Sequence, residues 1–293
     1  MNTLRNGEYF GETNQMVSSD GWTITDTEYT HPYVDWHYHE NAYFTFLLQG
    51  NMTEGNRKET YCCSAGTLLY HQWEDPHFNS KPDIFTRGFH IEITQDWFDR
   101  FDIKKNKAEG SFTIKNPGLK LLVWQLFKET KINDTSFESS ANQLLLHLFS
   151  ELTQEKESKE RKPVWVNQIN EILHENAAEK LTLTGISETL NIHPVHLSRD
   201  FHKYFHCNLG EYLRKLKVNK SVKLLHSPSS LTDIALECGF SDQSHFIRCF
   251  KENLGITPLK YRNLLKNHKI LPDQIIIHDL DTSFPDSATF SSF

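Results

Sequence analysis

The sequence predicts an α+β chain: a strand-rich N-terminal half, two helices, and an all-helical C-terminal half. Three observations carry that prediction. Short apolar and aromatic runs bounded by turn residues recur from Trp22 to Ile93, at the spacing of a sheet sandwich or barrel. From about Leu119 the apolar period becomes helical. Beyond a charged stretch that ends at Pro163, no strand pattern returns before His268. The 293 residues, 38% hydrophobic and 12% aromatic, suit about two globular domains and exclude a disordered, collagenous or disulfide-scaffold chain.

In order, the strand signals are Trp22 to Thr27, Ala42 to Gln49, Gly66 to His71 and Thr86 to Ile93. The first helix stripe is Leu119, Leu122, Val123, Leu126 and Phe127; the second is Ala141, Leu144, Leu145, Leu148, Phe149 and Leu152. Both apolar faces are wide, which suits packing on the sheets, on each other or on a second subunit. Gln154 to Pro163, QEKESKERKP, reads as an exposed helix end running into a linker. Helical stripes then follow one another: Val166, Ile169, Ile172 and Leu173; Ile186 and Leu190; Leu197, Phe201 and Phe205; Leu213, Leu216 and Leu224. The end of the chain, DTSFPDSATFSSF, has little periodicity and reads as a flexible tail.

Charge divides along the same lines. The formal net charge of −7 at first argues against a nucleic-acid binder. Residues 1–162 carry 17 basic and 24 acidic residues, residues 163–268 carry 13 and 10, and residues 269–293 carry 1 and 4. The net charges are −7, +3 and −3, so a modestly basic segment is hidden between acidic ones. The five cysteines, Cys62, Cys63, Cys207, Cys238 and Cys249, form no Cys-x-x-Cys pair and read as reduced thiols. Cys62 and Cys63 are adjacent, so on a strand they point to opposite faces. The N-terminus lacks an apolar leader and no window is apolar enough to span a membrane, so the expected location is the cytoplasm.

An internal repeat lies in the basic segment. Leu183-x-x-Ile186-Ser187-x-x-Leu190-Asn191-Ile192 aligns with Leu231-x-x-Ile234-Ala235-x-x-Cys238-Gly239-Phe240 at an offset of 48. One residue is then inserted, and Leu197, Arg199, Phe201, Phe205 and Tyr212 align with Phe246, Arg248, Phe250, Leu254 and Tyr261. Each copy has the layout of a helix-turn-helix. A small residue, Ser187 or Ala235, sits where two helix axes approach closely. Gly239 can end a helix in the left-handed conformation, and Asn191 takes that role in the first copy. Ser241 or Asp242 can cap the second helix, and Pro194 suits a first helical turn. The following helix turns Leu197, Phe201 and Phe205, or Phe246, Phe250 and Leu254, inward and leaves its other face free for a major groove.

The segment from about Leu181 to Lys266 resembles the DNA-binding domain of AraC/XylS-type transcription regulators. The resemblance rests chiefly on Ile234-Ala235-x3-Gly239-Phe240-Ser241-Asp242-Gln243-Ser244-His245-Phe246-x-Arg248-x-Phe250-Lys251-x3-Gly255-x-Thr257-Pro258-x2-Tyr261-Arg262. It implies two helix-turn-helix units that read successive major-groove segments, joined by a long helix from Gly210 to His226. Departures fall mostly in the first copy: His206 stands where the family usually has glycine, Ser187 and Ser221 replace common alanines, and Lys217 replaces a usual arginine.

Helix geometry sets which residues face DNA. Val195, His196, Ser198, Arg199 and His202 are outward in the first unit, and the resemblance places Val195, Ser198 and Arg199 at base-approaching positions. Gln243, Ser244, His245 and Arg248 are the outward set of the second. Gln suits adenine and Arg suits guanine, while phosphate contact or an internal salt bridge is the alternative for either arginine. Arg214, Lys215, Lys217, Lys220 and Lys223 crowd the joining helix as a phosphate-contacting set or a solvated face.

In the N-terminal half, Trp36-His37-Tyr38-His39, Gly50, Ser64-Ala65-Gly66-Thr67 and His77 resemble the motifs of a cupin barrel, the common effector domain of AraC-type regulators. Alternation puts His37 and His39 on one strand face, where two imidazoles can converge on a metal with His77 as a third. The metal-binding form of the barrel family needs a carboxylate where Tyr43 and Phe44 stand, with Glu40 and Glu54 out of place. The expectation is therefore no metal or other cofactor, and an effector pocket lined by Trp36, His37, His39, Tyr43 and His77. Histidines satisfied at a barrel rim are the alternative.

The expected organisation is a cupin-like β-barrel sensing domain at 1–115, a helical pair at 116–156 that packs or dimerises, a linker at 157–163, a double helix-turn-helix domain at 164–268 and a tail at 269–293. The function expected is that of an effector-controlled, non-enzymatic, DNA-binding transcription regulator. Its partners would be promoter DNA, a small-molecule effector, a second copy of the chain and RNA polymerase, with no membrane. The alternatives are a metal-dependent cupin enzyme with a helical appendage and a ligand-independent DNA-binding regulator.

Overall fold

A computed structural model describes residues 2–82, 85–103, 111–159 and 163–266, the backbone alone for 154–159. The C-terminal tail lies outside the described residues, as do 160–162 of the expected linker. No helix among the described residues is long and apolar enough to cross a membrane.

The N-terminal half folds into two sheets. One has the order β11 (Phe112–Ile114), β8 (Leu68–His71), β5 (Ala42–Gln49), β10 (Arg87–Ile93), β3 (Trp22–Glu28), β2 (Glu12–Ser19). The other has the order β1 (Asn2–Leu4), β4 (Tyr33–His39), β9 (His77–Ser80), β6 (Asn51–Asn56), β7 (Thr60–Ser64). The strands hydrogen-bond into these two separate sheets and do not close into one ring. Among the described residues all pairings are antiparallel except β1 with β4.

The four expected strands form the centre of the larger sheet. Their runs are almost continuously buried because both faces are covered. Phe44, Phe46, Leu48, Phe89, Ile91 and Ile93 turn toward the helices, in one apolar core with Leu119, Val123, Phe127 and Phe149. Tyr43, Thr45, His71, His90 and Glu92 alternate with them and turn to the other face. The strands outside those four runs, among them β2, β4, β6, β7 and β9, carry more exposed or polar residues and belong to the edge or the smaller sheet. On β7, Cys62 is exposed and Cys63 buried, as alternation requires.

After the short α1 (Gln95–Arg100), α2 (Pro117–Ile132) packs on the larger sheet and on α3 (Phe137–Lys159). Residues 157–159, expected as linker, continue α3 as helix. The apolar stripes of both helices are covered inside the chain, and Gln143, His147 and Ser150 form the exposed side of α3.

The helical half comprises α4 (Val164–Glu175), α5 (Leu183–Leu190), α6 (Pro194–Phe205), α7 (Leu209–Leu224), α8 (Leu231–Glu237), α9 (Gln243–Leu254) and α10 (Pro258–Lys266). Its two helix pairs are held differently. The α5–α6 pair shares a separate core with α4 and the start of α7, built on Ile169, Leu173, Ile186, Leu197, Phe201 and Tyr212. The α8–α9 pair contributes Ile234, Phe240, Phe246, Phe250 and Leu254 to the same core as the large sheet and α2. Buried hydrogen bonds reinforce the second contact: Tyr261 Oη donates to the Trp124 carbonyl at 3.0 Å, and Asn219 Nδ2 to the Pro117 carbonyl at 2.9 Å.

Candidate DNA-reading surface and intersheet cavity

The two helix pairs repeat in detail. In the first, Thr182 caps α5, Asn191 adopts φ +52°, and Ile192 N–H donates to the Ser187 carbonyl at 3.0 Å. In the second, Ser230 caps α8, Gly239 adopts φ +79°, and Phe240 N–H donates to the Ala235 carbonyl at 2.9 Å. The same backward hydrogen bond thus closes both turns, the C-terminal motif expected after a left-handed residue. Asp242 caps α9 by accepting from His245 N–H at 2.8 Å.

The departures from the regulator pattern are accommodated locally. Ser187 and Ser221 are buried, and their hydroxyls donate to the Leu183 and Val218 carbonyls at 2.6 and 2.7 Å. His206 ends α6 at φ +54°, filling the left-handed role of a glycine. Lys217 donates to the Gly239 carbonyl at 2.6 Å and so ties α7 to the second turn.

Val195, His196, Ser198, Arg199 and His202 are exposed on α6, with Arg199 paired to Asp200 at 2.9 Å. On α9, Ser244 and Arg248 are exposed, while Gln243 and His245 are half-buried. Gln243 Oε1 accepts from Thr232 at 2.7 Å, and His245 Nδ1 lies 3.1 Å from Ser241 Oγ. The five cations of the joining helix scatter. Arg214 is exposed, Lys215 pairs with Glu211 at 3.0 Å, and Lys220 donates to the Glu237 carbonyl at 2.8 Å. Lys223 turns into the seam, so close to Gly66 that a Cβ there would lie 2.1 Å from its Cε.

A second cluster lies between the two sheets. His37 and His39 on β4 are buried with His77, which pairs His37 across the β4–β9 ladder. One nitrogen of each ring lies within 4.8 Å of the others. Tyr43 on β5 hydrogen-bonds His77 Nε2 at 2.9 Å and stacks on His71, its cross-strand neighbour. Trp36 does not join them: it is half-buried and packs on Phe78, because adjacent residues of β4 face opposite ways. The structure adds residues that the motifs did not mark, namely His71, His90, Tyr9, Tyr29 and Lys81, and brings Glu54 into the cavity lining. Polar residues at every second place in the apolar runs of β5, β8 and β10 were the available signal.

Burial governs the charge state of this cluster. It holds the His77 imidazole down to about 4 and His90 to about 3, so both are neutral near pH 7. His39 and His71 are pushed well down by burial and by neighbouring histidines. Burial raises the Glu54 carboxyl to about 8 and lowers Lys81 to about 8.

Comparison with known proteins agrees with the helical half. Residues 186–264 match the family model described as a helix-turn-helix domain. The chain is 29% identical over 142 residues to the Msm operon regulatory protein of Streptococcus mutans serotype c, covering 47% of this chain and 51% of that protein. It therefore spans about half of that relative's length. It is 28% identical over 246 residues to YfiF, an uncharacterized HTH-type transcriptional regulator of Bacillus subtilis, covering 78% and 77%. It is 22% identical over 260 residues to the HTH-type transcriptional activator RhaR of Mannheimia succiniciproducens, covering 84% and 94%. The repeated helix pairs, the capped turns and the match over residues 186–264 make the helical half a helix-turn-helix domain, and the chain is similar to HTH-type transcription regulators.

Proposed function

We propose that the chain is a sequence-specific DNA-binding regulator of transcription whose two helix pairs act as helix-turn-helix units. The observation that carries this reading is the pair of matched turns, each followed by a helix with a buried apolar side and a polar, exposed side. Val195, Ser198 and Arg199 on α6, with Gln243, Ser244, His245 and Arg248 on α9, are the proposed base-reading set. Arg214 and Lys215 are the best placed of the joining-helix cations for phosphate, since Lys217 and Lys220 already donate to carbonyl groups and Lys223 lies in the seam.

The strand-rich half is the proposed sensor, a cupin-like domain in which His37, His39, Tyr43 and His77 hold an effector between the sheets. The proposed partners are promoter DNA, RNA polymerase and a second copy of the chain; no turnover is proposed. Selection of bound fragments from genomic DNA tests the central claim. Two fixed units on one face should return a bipartite motif with elements about 10 bp apart. Binding that is salt-sensitive and without sequence preference would overturn it.

A further inference from the structure

The helical half meets the sheet half in two ways. The second helix pair shares the core of the large sheet, whereas the first rests on a core of its own. Between that first pair and the sheet half lies an open cleft of about 410 Å3, within the roughly 300–1,000 Å3 of sites for organic ligands. Lys115, Asn116 and Glu151 line it from the side of the sheet half, and Asn170, Glu171 and Tyr212 from α4 and α7.

Three ammonium groups gather beside this cleft. Asn219 of α7 donates to the Pro117 carbonyl where α2 begins, and Lys120 and Lys223 stand one turn further along the two helices. Lys223 lies against the Gly66 turn, where a Cβ would come 3.0 Å from its Nζ. Lys115 directly precedes Asn116, the N-cap of α2. Burial, Lys223 and Lys115 together hold the Lys120 ammonium down to about 8. Burial and the same three lysines hold the His174 imidazole down to about 4, and His174 Nε2 lies 3.4 Å from the hydroxyl of Tyr212. Among the described residues, no carboxylate lies within 4.0 Å of any of the three ammonium groups. Crowded charges of one sign without a counter-ion are unfavourable, and they leave a place for an anion.

We propose that Lys115, Lys120 and Lys223 bind the phosphate group of a small organic phosphate whose hydroxylated body occupies the cleft. Lysine suits this group because each ammonium offers three rotatable donors and a phosphate monoester is close to a dianion at pH 7. The start of α2 adds the positive end of a helix dipole at the same place. Glu151 and Glu171 would repel a second anionic group but accept hydrogen bonds from hydroxyls, as Asn116 and Asn170 also can. The ligand is therefore anionic at one end and polar but uncharged in its body. This site is separate from the intersheet cavity, whose lining includes none of these residues.

Such a ligand would touch both parts of the chain. Lys115 and Lys120 flank the start of α2, which packs on the large sheet, whereas Tyr212 belongs to the core of the first helix pair and donates to Asn170 of α4 at 2.8 Å. Filling the cleft would fix the first helix pair relative to the second, which the sheet core already holds. For its consequence on DNA the proposal rests on the regulator reading above.

Calorimetric titration of the full-length chain with glycerol 3-phosphate, inorganic phosphate and glycerol, in chloride buffers of matched ionic strength, tests the proposal. The expected result is one glycerol 3-phosphate per chain, bound at least about tenfold more tightly than inorganic phosphate, and no binding of glycerol. Lys120→Met and Lys223→Met, checked for folding by circular dichroism, should each weaken binding by at least about tenfold. No saturable uptake, an ester no tighter than inorganic phosphate, unchanged affinity in both variants, or displacement of the ester by non-specific DNA would overturn the site. If the variants do not fold, acetylation of the unmodified chain decides the matter. The ester should shield Lys115, Lys120 and Lys223, and equal labelling with and without it would overturn the proposal. Binding to the selected DNA with and without glycerol 3-phosphate separates the two claims. Sequence-specific binding by a chain that takes up no ester leaves the regulator reading standing and removes the site. Ester uptake without sequence preference in either state does the reverse.

Discussion

The guanidinium of Arg87, fully buried on β10, donates from Nη1 to the main-chain carbonyl of Leu265 in the last turn of α10 at 3.4 Å. The same side chain grips both carboxylate oxygens of Asp26, at 2.6 and 2.5 Å, and Lys131 reaches Asp26 at 2.5 Å. Two buried cations thus share one anion, and part of the surplus positive charge meets the carbonyl end of α10. Gln125 and Lys128 of α2 similarly donate to the Asn253 and Leu254 carbonyls, where α9 ends. The second helix pair is joined to the sheet domain by these helix-end contacts as well as by the shared core.

Asp26→Asn should therefore be severe. It leaves Arg87 and Lys131 buried with no anion, which costs about 3–5 kcal/mol, measurable by urea unfolding. Burial alone would raise the Asp26 carboxyl, but Arg87 and Lys131 override it and hold it below the ordinary 3.8. Its contribution is complete above that value and is lost as pH falls through the lower folded pKa. The variant should consequently lose the wild-type pH dependence of stability in that acidic range.

The two turns should respond oppositely to substitution. Gly239 has φ +79°, and a Cβ there would lie 2.0 Å from the Ala178 carbonyl oxygen, so Gly239→Ala should destabilise by more than about 2 kcal/mol. Asn191, at φ +52° and exposed, should tolerate Asn191→Gly within about 1 kcal/mol. Comparable losses in thermal unfolding of the two variants would contradict this account.

Arginines at the two kinds of position should separate in DNA binding. Arg248→Ala is expected to relax preference at one base pair, at a cost of about 1–3 kcal/mol against the preferred sequence. Arg214→Ala should weaken all sequences alike and reduce the salt slope by about one. Binding to a randomised-site library at several salt concentrations reads both effects.

Glu54 offers a pH test in the sensor half. Burial holds its carboxyl at about 8 against an ordinary 4.5, so the folded chain keeps a proton that the unfolded chain releases. Its influence therefore lowers stability progressively as pH rises from about 4.5 to 8. Glu54→Gln should raise the unfolding midpoint at pH 8 and change it little at pH 4.5. Equal shifts at both pH values would show that the carboxyl is not held protonated.

Legibility from sequence followed the range of the interactions. The turns of the two helix pairs depend on Asn191, Gly239 and residues within five positions of them, and they were readable for that reason. Alternation alone placed His37 and His39 on one face. Sequence spacing cannot show that β6 lies beside β9, which brings Glu54 to the cavity, and proximity in sequence masks the opposite orientation of Trp36. Nothing along the chain shows that the two inner sheet faces meet, which is what brings His71 and His90 to the cluster.

The sequence by itself determined the order of strand-rich and helical halves and the repeated helix pairs, since each is written in local periodicity and turn chemistry. The tertiary structure alone decided that the apolar stripes of α2 and α3 are consumed by the sheet and by the second helix pair. It also decided that the joining-helix lysines divide among ion pairs, carbonyls and the domain seam. These outcomes depend on contacts between residues far apart in the chain, such as Arg87 with Leu265 and Trp124 with Tyr261, whose burial no local pattern encodes.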